Sequence, residues 1–329
     1  MTVLVIGASG HIGAHIVRHL LAQGRAVRAL VRPTSNLQGL AGLEVELVRG
    51  DVRDRSSLRS ALKGCSALYH LAAVVAEWTH DPAVIYKTAI DGTANILHAV
   101  ADTSGIERII YTSSVAAVGM SHSPHDLRNE SHHNTDDLTH YSIAKTRAER
   151  LANELAGQYR LPLVIVNPSV VLGPYDYRPT PATNGVIRYL KYRLPVYFDA
   201  GANIVHADDV ARGHLLAEQH GKLGERYILS GANLTMRELF SLMAQSAGRR
   251  PPGIELGRRT LWMIGCGAEF WARLRGKAPL LTRARVRSLI GRYGFYDASK
   301  AQRELGYTAR PAGETLADAV HWVRAQKWV

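Results

Sequence analysis

The chain opens Thr2-Val3-Leu4-Val5-Ile6, a run of β-formers with no polar alternation, and passes at once into Gly7-Ala8-Ser9-Gly10-His11-Ile12-Gly13. An uninterrupted apolar run of this length reads as a strand buried on both faces, the kind found inside a parallel sheet. Three glycines at spacings of three then permit a tight turn, close backbone approach to a pyrophosphate, and close packing of the following helix on the strand. The helix N-terminus presents free N–H groups to the phosphate charge. A glycine triplet alone is weak in a chain with 29 glycines among 329 residues; directly behind an N-terminal buried strand it is specific. Gly7, Ser9, Gly10, His11, Ile12 and Gly13 are therefore the first candidate cofactor-binding residues.

The rest of the first half repeats the strand–helix alternation. Strands are expected at Ala26–Val31, Glu44–Val48, Ala67–His70, Arg108–Thr112 and Leu163–Val166, the last completing the sheet. Helices are expected over His11–Gln23, over Asp81–Asp102 behind an Asp-Pro start signal, and over Tyr141–Gln158. A histidine-rich stretch from Met120 to His140 is too long and irregular for a simple connector. After Asn167-Pro168, prolines at 168, 174, 179, 181 and 195 break the alternation. The expected fold is α/β, a Rossmann-type doubly wound parallel sheet with a smaller mixed C-terminal substrate lobe. The expected division is 1–167 for the dinucleotide-binding domain and 168–329 for the lobe, with part of 204–219 returning to the main domain.

The end of the second strand selects the dinucleotide. An acidic residue there accepts from the ribose 2′-OH of NAD, but this strand ends Val31-Arg32-Pro33-Thr34-Ser35-Asn36 without one. Arg32 can pair with a 2′-phosphate and stack on adenine, so NADP(H) is favoured over NAD(H). Asp51, with Val52 beside it, is a candidate to accept from the adenine amino group, although Asp-Val-x-Asp also reads as a helix cap.

Tyr141-Ser142-Ile143-Ala144-Lys145 puts a phenol and an ammonium on one helix face. A neighbouring ammonium and a cationic nicotinamide would both favour phenolate and bring it toward neutral pH. The spacing recurs at Tyr296 and Lys300, in the second lobe, where it is expected to be structural. The fifth strand ends Tyr111-Thr112-Ser113-Ser114, placing a hydroxyl at the sheet edge where open α/β sheets bind ligands, suited to steadying a carbonyl oxygen.

GASGHIG, His70-Leu71-Ala72-Ala73, YTSS, YSIAK and NPS occur in the order found in extended short-chain dehydrogenases/reductases, and VHADDVARGHLLA and KAQRELGY follow suit. The chain resembles that family over nearly its whole length, within it the dihydroflavonol-reductase-like branch that includes hopanoid-associated sugar epimerases and 3β-hydroxysteroid dehydrogenases. The resemblance implies Ser114 as catalytic serine, Tyr141 as proton donor or acceptor, and Lys145 as the residue that holds the ribose and tunes the tyrosine. It implies that Leu71, Ala72 and Ala73 line the cofactor and that Pro168, followed by Ser169, meets the carboxamide. One departure stands out: the usual Asn-Val-x-Gly-Thr is Ala89-Ile90-Asp91-Gly92-Thr93 here, which puts the proton relay in question rather than the hydride site.

Absence of an acidic partner for Arg32 tilts the expectation to net reduction of a carbonyl, or oxidation of a secondary alcohol, since a reductase consumes a hydride that an epimerase returns. A sugar epimerase, a 3β-hydroxysteroid-dehydrogenase-like enzyme and a catalytically silent dinucleotide sensor are the alternatives. Trp78, Ser114, Tyr175 and His206 are the candidate substrate residues, pointing to an apolar or ring-shaped small molecule. No metal is expected, because the histidines at 122, 125, 132, 133 and 140 lie on an irregular loop. Residues 249–292 carry eleven Arg/Lys against Glu255 and Glu269, nine of the chain's net +12. This is a solvated basic face or, with Leu261, Trp262, Ile264, Phe270 and Trp271 among the charges, one that rests on anionic lipid. No motif for nucleic acid accompanies the charge. Two distant cysteines and the lack of a signal peptide point to a cytoplasmic chain, membrane-peripheral if the basic segment meets lipid. A homodimer is an allowed assembly.

Overall fold

The structure, a computed structural model, describes residues 2–73, 81–136, 139–192, 195–275, 286 and 290–329. In chain order the first half runs β1 (Thr2–Ile6), α1 (His11–Ala22), β2 (Ala26–Val31), β3 (Glu46–Arg49), α2 (Arg55–Leu62) and β4 (Cys65–His70). It continues with α3 (Ala83–Tyr86), a π turn (Lys87–Asp91), α4 (Gly92–Ala101), β5 (Arg108–Thr112), α5 (His140–Tyr159) and β6 (Leu163–Pro168). The second half has β7 (Val170–Leu172), α6 (Pro181–Tyr192), β8 (Val196–Tyr197), β9 (Gly201–His206), α7 (Ala207–His220), β10 (Arg226–Leu229) and β11 (Ala232–Thr235). It closes with α8 (Met236–Ala247), β12 (Ile254–Glu255), α9 (Arg258–Arg275), β13 (Tyr293–Gly294), α10 (Ser299–Leu305) and α11 (Ala312–Ala325).

Seven parallel strands form the main sheet in the order β10-β6-β5-β4-β1-β2-β3. Alternate residues feed two cores. Val3 and Val5 of β1 meet Ile16, Val17 and Leu20 of α1 and Val210 and Leu215 of α7 on one face. Leu4 and Ile6 meet Leu58 of α2, Ile96 of α4 and Leu155 of α5 on the other. That double burial is why β1 carries no polar residue after Thr2. Strand order reverses between β1 and β4, which opens a crevice at the sheet's C-terminal edge.

The sheet does not end at Val166 as expected. Its seventh strand, Arg226–Leu229, arrives some 60 residues later and pairs with β6. Four residues set among polar neighbours give no alternation to read. Ala301, Leu305 and Tyr307, in and beside α10, also join the α1–α7 core, so the two halves of the chain interleave. Of the remaining strands, β7, β9, β11 and β13 form a small sheet packed by α6, α8 and α11, and β8 pairs with β12. The Met120–His140 stretch is pinned through bridges from Ser121 to Tyr293 and from Arg128 to Tyr296.

Candidate active site

The glycine turn packs against the end of β4. Gly7 has φ +90°, and a Cβ there would lie 3.0 Å from the Leu71 carbonyl carbon and 3.1 Å from the Ala72 nitrogen. At Gly13 a Cβ would stand 2.2 Å from the Gly7 oxygen, and at Gly10 one would stand 3.2 Å from it. The turn therefore admits no side chain at Gly7 or Gly13, which leaves backbone N–H groups at the start of α1 facing the crevice, as a pyrophosphate cradle requires. Ser9 and Ile12 are half-buried, Gly10 is exposed, and Leu71, Ala72 and Ala73 are half-buried along the opposite wall. His11 turns inward, its Nε2 buried without a hydrogen-bond partner, and burial pushes its imidazole down to about 4.

Arg32 stands exposed just past β2, its backbone N–H donating to Ser35 Oγ at 3.0 Å. Its charge reaches Asp51, whose carboxyl is held below the usual carboxylate range mainly by hydrogen bonds from Arg53. The cap of α2 is Asp54, which accepts from Ser56 N–H. Asp51 is thus free of the capping role its spacing also allowed, although Arg53 already occupies its carboxylate. Val52 is buried, fitted against Gly92.

Tyr141 lies in the first turn of α5, which starts where it does because Thr139 and Ser142 form a capping box: Ser142 N–H donates to Thr139 Oγ1 at 3.0 Å. One turn on, Lys145 is buried and its Nζ donates to the Thr112 carbonyl at the end of β5, 2.8 Å away. Burial lowers the ammonium to about 8, opposed by the Glu149 charge. On Tyr141, burial and a neighbouring hydroxyl act in opposite directions. Burial raises its phenol above the ordinary value, and a hydrogen bond with Ser114 opposes the rise. The phenol is held protonated, in the form that donates. Ser114 Oγ accepts from Ala116 N–H at 3.1 Å, and the neighbouring Ser113 Oγ is buried without a partner.

Behind this edge lie groups the sequence did not single out. Glu149 and Asn167 sit below Lys145 and Ser114: Asn167 Nδ2 donates to the Ser114 carbonyl at 3.0 Å and to Glu149 at 2.7 Å. The only available signal was spacing, since Glu149 follows Lys145 by four residues on the same helix face. His70 is buried against Thr93, 3.0 Å away, and the Tyr111 ring. Pro168 ends β6 beside Leu229, and Ser169 spends its hydroxyl on Asn203 Oδ1 at 2.6 Å.

The candidate substrate residues are not brought together. Trp78 lies outside the described residues. Tyr175, with φ +65°, packs against α1: the Arg18 guanidinium lies 4.0 Å from its ring centroid, and His15 and Trp322 flank it. That is the α1–α7 side, whereas Tyr141 and Lys145 stand on the α5 side. His206 is the N-cap of α7, accepting from Asp208 N–H at 3.0 Å, with its Nε2 3.3 Å from Asp318. Among the described residues, His206, Asp208 and Asp209 have ligand atoms close enough for a metal ion. However, both carboxylates are already paired, Asp208 with His19 and Arg310, Asp209 with Arg310 and Arg212. The second tyrosine–lysine pair is engaged in packing: Tyr296 donates to the Gly119 carbonyl and Lys300 pairs with Glu225.

Residues 3–230 match the model of the NAD dependent epimerase/dehydratase family. The chain belongs to that family. It is 37% identical to a Synechocystis sp. protein provisionally named dihydroflavonol 4-reductase, over 99% of this chain and 95% of that one. It is 33% identical to "Sterol demethylase protein B" of Methylococcus capsulatus, over 98% of each. Among solved structures, gox2253 superposes with a TM-score of 0.87 at 38% identity, covering 100% of this chain and 99% of that one. MoeE5, solved with UDP-glucuronic acid and NAD, gives 0.75 at 26% identity over 99% and 100%.

This epimerase/dehydratase-family chain is an NAD(P)-dependent oxidoreductase of the short-chain dehydrogenase/reductase type. Within that identity its alanine at position 89 gains a structural setting. Ala89 falls in the π turn between α3 and α4, a feature that often marks functional positions. It is 5% exposed and packed with Ile85, Ala144 and Ala148. Where the resemblance leads one to expect an amide, the α5 side of the crevice has an apolar contact.

Proposed function

We propose that the chain reduces a carbonyl of an apolar or ring-shaped small molecule with NADP(H), Tyr141 acting as the acid. The observation that carries this reading is the placement of the Tyr141 phenol beside Ser114 and one helical turn before the buried Lys145, across the C-terminal edge from the glycine turn. The dinucleotide, when bound, supplies the hydride to the carbonyl carbon. The Ser114 hydroxyl steadies the oxygen as charge develops, Tyr141 delivers the proton to it, and the Lys145 charge favours the phenolate left behind. Run backwards, the same groups oxidise a secondary alcohol. Arg32, exposed and without an acidic neighbour on its own strand end, supports NADP(H). Relatives named as cinnamoyl-CoA and anthocyanidin reductases support net reduction.

The test is consumption of NADPH against NADH by the purified chain over a panel of hydrophobic ketones and aldehydes. NADPH-dependent turnover, abolished in Tyr141→Phe, is the expected result. No turnover, with Tyr141→Phe leaving the cellular role intact, would favour a dinucleotide sensor. Interconversion of sugar epimers with no net cofactor change would favour an epimerase.

Peripheral contact with anionic lipid through residues 249–292 is part of the same reading. On α9, Met263 is 62% exposed and Trp262 43%, beside exposed Arg258 and Arg259. No helix among the described residues is long and apolar enough to cross a membrane. Co-sedimentation with anionic but not neutral vesicles is expected; equal sedimentation with both, or none, contradicts the lipid contact.

A further inference from the structure

A buried ion pair runs beneath the active-site edge. Arg226, on the added strand β10, donates through Nη1 to Glu149 Oε1 of α5 at 2.6 Å, with side chains only 9% and 5% exposed. The other carboxylate oxygen of Glu149 accepts from Asn167 Nδ2 of β6 at 2.7 Å, and the same amide nitrogen donates to the Ser114 carbonyl at 3.0 Å. Arg226 also donates to two backbone carbonyls of the 120–140 stretch: Glu130 O, at 2.8 Å from Nε, and His132 O. The Glu130 carboxylate returns a bond by accepting from Ile228 N–H at 2.9 Å. One carboxylate is thus connected to the strand carrying Ser114, the helix carrying Tyr141 and Lys145, and the stretch that leads into that helix.

Stability alone does not explain such a group. Taking a carboxylate and a guanidinium out of water costs several kcal/mol per ion, and apolar pairs of similar volume often serve a core as well or better. A buried ion pair tied through Asn167 to Ser114 and through Arg226 to the 120–140 stretch fits a positional demand instead.

We propose that Glu149 is a positioning residue of the active site: it sets Ser114 through Asn167, anchors the 120–140 stretch through Arg226, and is the counter-charge to Lys145. The proposal rests on the reading of Tyr141, Lys145 and Ser114 given above. The charged and titratable groups facing Glu149 are Arg226 of β10, Lys145 on its own helix, Tyr111 of β5 and His133 of the 120–140 stretch. Glu149 follows Lys145 by one helical turn on α5, and its charge opposes the effect of burial on the ammonium. Removing it therefore weakens the hold on the Lys145 proton, and the alkaline limb of activity moves to lower pH.

Glu149→Gln removes the charge and leaves a single oxygen to accept from Asn167 or from Arg226, and Glu149→Gln/Arg226→Gln also removes the stranded cation. Lysine 13Cε NMR reads the Lys145 titration directly, with its signal identified by loss in Lys145→Arg, and needs no substrate. Glu149→Gln is expected to lower the Lys145 midpoint by about one pH unit, and the double variant, which removes a cation with the anion, to lower it by less. In turnover, kcat should lose its alkaline range to the same extent, with the NADPH KM changed less than about threefold because no phosphate or ribose contact is touched. An unmoved Lys145 midpoint in the folded variants overturns the proposal. So does activity that falls only with the folded fraction and returns in the double variant with an unshifted pH profile. Failure of the wild-type chain to reduce any carbonyl counts against the proposed reaction, while the NMR titration still decides the role of Glu149.

Discussion

Two buried polar regions lie on opposite faces of the main sheet, and they are built differently. On the α5 side, Lys145 is brought to about 8, Tyr141 is kept protonated beside Ser114, and Ser113 Oγ and the Tyr111 hydroxyl have no hydrogen-bond partner. On the α1–α7 side, Asp208 and Asp209 are taken up by His15, His19, Arg212 and Arg310, and both carboxyls are held below the usual range. There burial parks His206 at about 4. One region leaves donors and a titration near working pH; the other commits its acids to partners. Burial of charge is common to both, so it does not by itself mark chemistry. What separates them is whether the groups still have something to give.

Removing a group from each side should have opposite signatures. Tyr141→Phe is expected to lower kcat by about 10²–10⁴-fold with little change in thermal midpoint, as loss of a general acid does; steady-state kinetics and calorimetry together check this. Asp209→Asn should do the reverse. It takes from Arg310 a buried carboxylate that the guanidinium donates to at 2.8 Å, leaving it Asp208, and should cost about 2 kcal/mol of stability. Activity per folded molecule should stay near wild type, measured by urea denaturation beside the kinetic assay. Matching losses of stability and rate in both variants would erase the distinction between the regions.

A smaller effect belongs to the exposed end of the cofactor crevice. Arg32→Ala is expected to raise the NADPH KM by about tenfold, the scale of one lost charge-assisted hydrogen bond, and to leave the NADH KM alone. Equal changes for both cofactors would remove the argument for NADP(H). Smallest is Thr139→Ala, which removes half of the α5 capping box and should cost about 1 kcal/mol by chemical denaturation.

Acid sharpens the same contrast without mutation. Burial depresses His11, His206 and His214 to about 4 and His70 to about 3, below the ordinary 6.5. Below pH 6.5 the unfolded chain takes up protons that the folded chain refuses, so stability is full above that value and drains as pH falls toward 4 and below. The thermal midpoint should drop across that window, and His214→Gln should flatten the drop. A midpoint unchanged from pH 6.5 to 4 would show that these histidines are not buried as neutral groups.

The sequence showed some of this plainly. Strands β1, β2 and β5 fall on the residues expected, because each is a short, largely apolar run bounded by turn residues. The glycine turn was legible for the same reason: its demands are local. What escaped was whatever depends on partners distant in the chain. The eight residues of α2 are too few for a periodic stripe. Arg226–Leu229 declares itself a strand only beside β6, and Glu149 is one more acid in Ala-Glu-Arg until Arg226, 77 residues later, folds against it. The state of the Tyr141 phenol could not be read either. It turns on burial of the hydroxyl and on its meeting Ser114, neither of which any spacing reveals.

The most direct test of the account is a crystal structure of the chain with NADP+ bound. The Tyr141 hydroxyl should face the nicotinamide across a gap that fits one substrate oxygen, beside Ser114, with the 2′-phosphate held by Arg32. A hydroxyl turned away from the ring, or a crevice closed by neighbouring side chains, would contradict it.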